Sequence, residues 1–244
     1  MTSESDIRDR RAPARVAAVG PVGRVDAVLR RAFDVLVALA GIVCFLPILI
    51  PVVLAIRLDS PGPIFYAQNR LGQNGRIFRL YKFRKFRDGA TGRAVTLKND
   101  DRMTRVGRFL ERTKIDEVPQ LWNVLRADMS IIGPRPETLD FAEGFEGVYR
   151  GVLDHRPGIF GPNQVYFRNE GALFPEDTDP HAFYRAVLFP AKARIDLAYF
   201  PRRSLPQDVV WLVRGVLAVF GLGLPSEKAL KRFRNLENGA SLPD

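Results

Sequence analysis

The feature that most restricts how this chain can fold is a run of 22 residues without a charged side chain, Val35 to Ile56. A helix rises about 1.5 Å per residue, so one of this length can cross a hydrocarbon core of roughly 30 Å. Pro47 and Pro51 lie inside the run, and each removes a backbone donor and crowds the carbonyl four residues earlier. The sequence therefore predicts a membrane-embedded helix that breaks near Pro47.

Arginines flank the apolar run on both sides. Arg30 and Arg31 precede it, and Arg57 and Arg70 follow it. Positive residues mark the cytoplasmic side of a membrane, and a single crossing can place only one flank there. A re-entrant hairpin that turns back at Pro47 places both flanks there. The prolines and the flanks therefore favour a re-entrant anchor, with a bitopic span as the alternative.

The charge balance indicates an anionic partner. The 244 residues carry a formal net charge of +10, and residues 57–112 alone hold 14 basic against 5 acidic side chains. Nucleic acid, anionic lipid headgroups and phosphorylated substrates all fit such an excess. With one cysteine and two histidines, thiolate and histidine-rich metal sites are excluded. A metal would be held by carboxylates, which favours a hard ion such as magnesium.

Two adjacent carboxylates, Asp116 and Glu117, open an amphipathic run. Apolar residues follow at helical spacing, at Val118, Leu121, Trp122 and Leu125. Thr113 and Asp116 fit a capping box, whereas Pro119 fits best in the first turn and moves the start towards Ile115 or Asp116. Either start would place the acidic pair in the opening turn of a helix. Acidic residues there commonly do no more than complement the helix dipole. Downstream, Gly133 to Pro136 holds Arg135 between two prolines, which predicts a stiff loop.

The remaining pattern predicts short elements. Two strands around a turn at Gly72 to Gly75 are expected, Ile64 to Gln68 and Arg76 to Phe83. The second alternates basic with apolar and aromatic residues, as in an RNA-binding surface or, more commonly, a half-buried strand. Asp88 to Thr96 reads as a loop. Helices are predicted over Leu139 to Leu153, Pro180 to Tyr199 and Asp208 to Leu222, the last either in the core or in a membrane interface.

These pieces resemble a known family over about Arg31 to Leu222. The ordered segments that carry the resemblance are Arg30 to Asp34 with the proline-broken run, Asn69 to Gly72, Leu80 to Arg84, Thr104 to Leu110, Ile115 to Leu125 and Asp128 to Pro136. Together they are similar to the bacterial sugar transferases, the small monotopic polyprenyl-phosphate phosphoglycosyl transferases.

The resemblance implies an α+β fold that is mainly helical with a small β element. The membrane part would be a re-entrant hairpin broken at Pro47, accompanied by an interfacial amphipathic helix. Four regions follow: a disordered basic arm (1–23), an anchor (24–59), a catalytic domain (60–222) and a polar tail (223–244). The implied location is the bacterial inner membrane, with the active site on the cytoplasmic face.

The resemblance also implies a reaction, in which a phospho-sugar moves from a UDP-sugar to a polyprenyl phosphate and UMP is released. Asp116 would be the nucleophile that forms a covalent phosphosugar intermediate, and Glu117 would hold Mg²⁺ on the diphosphate. The basic residues expected around the phosphates are Lys82, Arg112, Arg135 and Arg168. Asp196 would contribute a metal, substrate or structural role. Nucleic acid is not an expected partner, and a homo-oligomer is left open.

The chain departs from the family pattern at two places. Glu111 stands where a basic residue is usual, with Arg112 beside it as a substitute. Pro162 and Asn163 replace a Trp-Ala pair, which would alter donor preference if that loop lies near the sugar or the uridine. Two rival functions remain: a glycosyltransferase that holds a metal-bound nucleotide sugar on the triplet Asp177 to Asp179, and a non-catalytic basic module.

Overall fold

The structure, a computed structural model, describes residues 21–90, 100–175 and 177–222. The predicted arm over 1–20, the predicted loop from residue 91 to residue 96 and the predicted tail over 223–244 lie outside the described residues. The expected arm boundary at residue 23 differs from the structure, because the first helix already begins at Pro21.

The described chain is mainly helical with two small sheets, as the sequence predicts. The α-helices are α1 (Pro21–Asp59), α2 (Arg105–Thr113), α3 (Gln120–Leu125), α4 (Pro162–Tyr166), α5 (Pro180–Phe183), α6 (Phe189–Tyr199) and α7 (Leu205–Val219). The strands are β1 (Phe65–Leu71), β2 (Ile77–Phe83), β3 (Ser130–Ile132) and β4 (Gly158–Phe160). Single turns of 3₁₀-helix lie between them at Gln73–Gly75, Ile115–Glu117, Glu170–Ala172 and Phe200–Arg202, with longer 3₁₀ segments at Leu139–Gly144 and Gly147–Asp154.

Helix α1 carries both prolines of the apolar run, Pro47 and Pro51, inside one helical segment. Val25–Asp59 is long and apolar enough to cross a membrane by length and composition. An 18-residue stretch within it has a mean hydropathy of 2.8, and 11% of that stretch is buried. The exposed apolar side chains of its central part are those of Val43, Leu46, Ile48 and Ile50. The helix therefore continues through Pro47, where the sequence predicts a break.

Both ends of α1 pack against the same globular body. Near its start, the buried Asp34 carboxylate accepts hydrogen bonds from the Ser130 hydroxyl (2.8 Å) and the Ile131 amide (2.7 Å). At its end, the Asp59 carboxylate accepts from the Val106 amide at 2.8 Å. These contacts fasten the two flanks of the apolar run to β3 and to the start of α2.

Strands β1 and β2 form the antiparallel hairpin that the sequence predicts. Phe65 pairs with Phe83, and Leu71 pairs with Ile77 across the turn. On β2, Phe78 and Leu80 are buried while the intervening Arg79 is exposed. The alternation of basic and apolar residues is therefore that of a half-buried strand, whose apolar face joins the core formed with α1, α3 and β3.

Strands β3 and β4 pair in parallel and approach closely at two glycines. Ser130 lies opposite Gly158, and Ile132 lies opposite Phe160. A Cβ atom at Gly158 would stand 2.1 Å from the Gly133 amide nitrogen. The Gly158 amide donates to the carbonyl of Pro134 at 2.8 Å. This contact fixes the start of the loop that carries Arg135.

The capping box predicted at Thr113 is wrong. Thr113 is the last residue of α2, and its hydroxyl donates back to the carbonyl of Phe109 at 2.9 Å. Lys114 then adopts the left-handed conformation (φ 59°), which ends α2. The acidic pair consequently lies in the 3₁₀ turn Ile115–Glu117, ahead of α3, rather than in a helix that starts at Thr113.

The later helices follow the predictions to different degrees. The expected helix over Leu139 to Leu153 is two 3₁₀ segments, because Glu146 is extended and Gly147 has a positive φ of 54°. The helix over Pro180 to Tyr199 is confirmed, with a π-helical turn at Tyr184–Leu188. Helix α7 buries one face and exposes the other, so it serves the core and also presents an apolar surface.

Replacing Gly158 by alanine is expected to destabilise the fold, because its Cβ would meet the backbone of Gly133 with no flexible side chain to move aside. Overpacking of this kind costs about 1–3 kcal/mol, or several degrees in unfolding temperature for a chain of this size. The measurement is thermal unfolding in detergent. Gly41→Ala is the matched control, since its Cβ meets only the end of the Leu121 side chain. Equal unfolding temperatures for both variants would contradict the close approach of β3 and β4.

Candidate active site

The acidic pair lies in the wall of a large cavity of about 1050 Å³. Asp116 is 2% exposed, and its Oδ1 atom is buried without a hydrogen-bond partner in the structure. The left-handed turn at Lys114 directs the chain from α2 into the 3₁₀ turn that carries both carboxylates. A buried carboxylate oxygen without a partner is costly, so this atom is a candidate for contact with a ligand.

Lys82 on β2 pairs with Glu117, and the two carboxyl groups consequently have different electrostatics. Lys82 Nζ donates to Glu117 Oε1 at 2.7 Å. Burial by itself would raise the pKa of Glu117, but Lys82 with Lys114 and Arg135 holds that pKa well below its usual value. Burial raises the pKa of Asp116 despite the nearby Lys82. Of the two carboxyl groups, Glu117 is therefore the one whose ionised form the site favours, whereas the ionised form of Asp116 is disfavoured by burial.

Arg135 reaches the same cavity from the loop after β3. Burial opposes its charge, but Glu170, Glu117 and Glu137 together raise the pKa of its guanidinium. The Gly133 amide donates to the Phe160 carbonyl at 2.9 Å, which holds the base of the loop to β4. The stiff loop predicted from its two prolines therefore delivers a charged guanidinium to the carboxylate pair.

Arg112 and Arg168 also line the cavity, but the guanidinium of Arg168 is largely engaged by protein carbonyls. Its Nε donates to Ala218 O at 2.7 Å, and its Nη2 to Val219 O at 3.2 Å, both at the end of α7. The same Nη2 lies 3.3 Å from the carbonyl of Arg112 at the end of α2. Arg168 thus braces two helix ends beside the site, while Arg112 is exposed at its rim.

The cavity joins this charged region to the apolar helices. Its lining includes Val37 and Phe45 from α1, and Val216 and Val219 from α7. Six of the predicted site residues line it as well: Lys82, Arg112, Asp116, Glu117, Arg135 and Arg168. A ligand with a charged head and an apolar chain could therefore contact both kinds of surface from one cavity.

Two predicted residues lie away from the cavity lining. Pro47 is exposed in the middle of α1. Asp196 on α6 is 2% exposed and accepts a hydrogen bond from Asn163 at 2.5 Å. The prediction that groups Asp196 with the phosphate-facing residues therefore receives no geometric support, since its carboxyl group is enclosed by protein.

A buried polar network beside Arg135 was missed by sequence reasoning. The Tyr184 hydroxyl donates to Glu137 Oε1 at 2.6 Å, and Lys192 Nζ donates to the Tyr184 oxygen at 3.1 Å. Lys192 also forms an ion pair with Glu170. Two signals were present in the sequence: Glu137 directly follows the Gly133 to Pro136 loop, and Lys192 lies four residues before Asp196 on one helix face.

The residues at the pair fit a magnesium ion that is shared with a substrate. No group of three or more His, Cys, Asp or Glu side chains suited to a metal occurs within 21–90, 100–175 and 177–222. Mg²⁺ is often held by one or two carboxylates, with substrate phosphates and water completing its shell. Glu117 supplies one such carboxylate at the cavity wall, where its Oε1 atom is paired with Lys82.

Two of the sequence departures have structural explanations. Glu111 pairs with Lys85 at 3.0 Å, so the acidic residue at this position has a basic neighbour. Asn163 in the first turn of α4 is buried and lines the cavity wall.

In the triplet proposed for a rival metal site, Asp179 caps α5 by accepting from the amides of His181 and Ala182. Asp177 and Asp179 are both outside the cavity lining.

Comparison with known proteins gives the family. A sequence model described as "Bacterial sugar transferase" matches residues 25–221, which is most of the chain. This chain belongs to the bacterial sugar transferase family. The match includes α1, the carboxylate pair, the Arg135 loop and α7, so the resemblance stated from the motifs is confirmed.

Three relatives illustrate the range of this family. The "Exopolysaccharide production protein PSS" of Rhizobium leguminosarum bv. phaseoli is 38% identical over 198 residues, covering 76% of this chain and 92% of the relative. The "UDP-N-acetylgalactosamine-undecaprenyl-phosphate N-acetylgalactosaminephosphotransferase" of Aeromonas hydrophila is 41% identical over 148 residues, 58% of this chain and 34% of the relative. The "UDP-glucose:undecaprenyl-phosphate glucose-1-phosphate transferase" of Escherichia coli (strain K12) is 39% identical over 150 residues, 59% and 32% respectively. The matched part therefore spans about a third of the length of the last two.

Breaking the Lys82–Glu117 pair from one side is expected to destabilise the protein more than removing both charges. Lys82→Met leaves the partly buried Glu117 carboxylate without its partner, which costs about 1–3 kcal/mol, whereas Lys82→Met with Glu117→Gln removes both charges. The measurement is denaturant unfolding of both variants and of Glu117→Gln alone. The two charges couple energetically if the double variant is more stable than Lys82→Met. Additive losses would contradict a coupled buried pair.

Proposed function

We propose that this protein is a phosphoglycosyl transferase that moves a phospho-sugar from a UDP-sugar to a polyprenyl phosphate, as the first committed step in assembling a cell-surface glycan. The observation that carries the proposal is the buried, partnerless Oδ1 of Asp116 in a cavity that also holds Lys82 and Arg135. The names of the Aeromonas and Escherichia relatives give the same type of reaction for those proteins.

The proposed chemistry has two displacement steps at one phosphorus atom. An oxygen of Asp116 attacks the β-phosphorus of the UDP-sugar, and the bond from that phosphorus to the bridging oxygen breaks, so UMP leaves. An oxygen of the polyprenyl phosphate then attacks the same phosphorus, and the bond to Asp116 breaks. The carboxylate is regenerated, and the product is a polyprenyl-diphosphate sugar. A covalent intermediate of this kind divides one difficult transfer into two easier steps.

The surrounding residues suit each part of this chemistry. Arg135 presents a planar fork of donors that matches phosphate oxygens, and Lys82 adds a second positive charge beside the acidic pair. Burial of Asp116 disfavours its charged form, so binding of a cationic group beside it would favour the nucleophilic carboxylate. A bound Mg²⁺, held by Glu117 and the diphosphate, would supply charge neutralisation of the phosphoryl oxygens.

The proposed membrane arrangement is re-entrant, with both flanks of α1 at the cytoplasmic face of the inner membrane. Its support is that Asp34 and Asp59, near opposite ends of the apolar run, both contact the same globular body. A straight crossing would separate two such ends by roughly 30 Å of hydrocarbon. The exposed apolar side chains of α7 and of Phe220, which directly follows it, would lie in the same interface; those of α7 are Val209, Val210, Val213, Val216 and Leu217.

The partners that follow are a UDP-sugar, a polyprenyl phosphate and the bilayer. The basic excess over residues 57–112 suits the phosphates of both substrates and anionic headgroups. The rival glycosyltransferase function rested on a metal site at Asp177 to Asp179, and Asp179 instead caps a helix. A nucleic-acid role loses its warrant because β2 is half buried in the core.

Asp116→Asn is expected to abolish turnover, because the amide cannot act as the proposed nucleophile. Purified protein would be incubated with a UDP-sugar carrying label in the β-phosphate and with polyprenyl phosphate, and UMP release and labelled lipid would be measured. The matched control is Asp140→Asn, at an exposed aspartate outside the cavity. Wild type, without acceptor, should form a labelled protein adduct that Asp116→Asn lacks. Sustained turnover by Asp116→Asn would remove Asp116 as the nucleophile, and unlabelled glycosylated lipid would indicate a glycosyltransferase.

Single cysteines at Val28 and Val148, in a Cys44→Ala background, are expected to react with an impermeant maleimide from the same face of sealed inner-membrane vesicles. Both side chains are exposed, and Cys44 is the one native cysteine of the chain. Vesicles of known orientation identify that face as cytoplasmic. Labelling of the two positions from opposite faces would establish a bitopic span.

A further inference from the structure

Asp196 and Asn163 form a buried pair joined by one hydrogen bond. With the carboxyl group ionised, one oxygen of each side chain has no hydrogen-bond partner. Asn163 Nδ2 donates to Asp196 Oδ2 at 2.5 Å, and both residues are 2% exposed. The remaining oxygens, Asp196 Oδ1 and Asn163 Oδ1, are both buried without a hydrogen-bond partner. Both are acceptors, so neither can satisfy the other unless a proton lies between them.

A proton on Asp196 Oδ1 resolves the mismatch. A protonated carboxyl group is a donor, and a carboxylic acid can pair with a carboxamide through two reciprocal hydrogen bonds. An ionised group would instead place a charge in the protein interior, at a large cost in free energy. Burial raises the pKa of Asp196 well above its ordinary range and the nearby Glu137 raises it further, although the hydrogen bond from Asn163 and the positive charge of Lys192 lower it.

We propose that Asp196 is a neutral carboxylic acid, paired reciprocally with Asn163, and that this pair is a positioning element for the Arg135 loop. Asp196 would then be neither a metal ligand nor a phosphate-facing carboxylate. Asn163 is the residue that stands in the Pro162-Asn163 departure from the family pattern, so the pairing would be a property of this chain and of members that share an amide there.

The connection from the pair to Arg135 runs through α4. Asn163 lies in the first turn of α4 and joins it to α6 through Asp196. The next residue, Gln164, donates from Nε2 to the carbonyl of Gly133 at 3.0 Å and to that of Gly158 at 3.2 Å. Gly133 begins the loop that carries Arg135. A shift of α4 would therefore move the base of the arginine loop.

The test compares an isosteric substitution with one that removes the pairing. Asp196→Asn keeps a donor and an acceptor at this position, so two reciprocal amide bonds can form, whereas Asp196→Ala leaves Asn163 unpaired in the interior. Asp196→Asn should therefore keep the unfolding temperature and most of the UMP release. Asp196→Ala and Asn163→Leu should each lose roughly tenfold or more in kcat/KM, because a shift of α4 would displace the base of the Arg135 loop through Gln164, and small displacements of a positioned group slow a reaction strongly.

Infrared spectroscopy supplies a readout that does not depend on catalysis. The difference spectrum between wild type and Asp196→Asn at neutral pH should contain the carbonyl stretch of a protonated carboxylic acid, and aspartate isotope labelling should shift that band. Only the kinetic measurement depends on the proposed function. If the protein proved not to be a phosphoglycosyl transferase, the infrared measurement would still test the protonation of Asp196. Absence of the band overturns the proposal. A folded Asp196→Asn protein that is as inactive as Asp196→Ala also overturns it, because it would show that the charge of Asp196 is required.

Discussion

The site depends on placing two adjacent carboxylates, the buried Asp116 and the partly buried Glu117, beside Lys82. Asp116 and Glu117 are consecutive, so neither can move away from the other, and burial penalises both negative charges. Lys82 satisfies Glu117 directly, whereas Asp116 keeps one buried oxygen without a hydrogen-bond partner. Because a buried charge without a partner is unfavourable, the fold around the pair must bring further cations close, and the Arg135 loop does so.

The elements that supply these cations are far apart in sequence and are held together by backbone contacts. Lys82 lies on β2, whose apolar face joins the core with α1 and α3. Arg135 depends on the close approach of β3 and β4, which is possible because Gly133 and Gly158 lack side chains. Arg168 ties the end of α7 to the end of α2, just before the acidic pair. An apolar helix surface and a polar cavity are thereby fixed relative to each other.

Much of the local structure could be predicted from the residues. The β1–β2 hairpin and the Arg135 loop follow from alternation, turn residues and proline, which act within a few residues. The capping box at Thr113 was wrong because Lys114 adopts a left-handed conformation that no sequence rule favours for lysine. The region after Leu139 has the composition of a helix, yet it breaks at Glu146 and Gly147, where the backbone becomes extended and then adopts a positive φ. Neither outcome is decided by local spacing.

The sequence by itself determined which residue types are available: an uncharged run with two prolines, an Asp-Glu pair, an arginine between prolines and a basic excess. These follow from composition and short spacing, and they are sufficient to indicate the family. Only the tertiary structure decided which charged groups share an environment. It placed Lys82 against Glu117, turned Arg168 towards helix carbonyls, and paired Asp196, which does not line the cavity, with Asn163, which does. Burial and pairing depend on residues separated by tens of positions along the chain, and those distances exist only after the chain has folded.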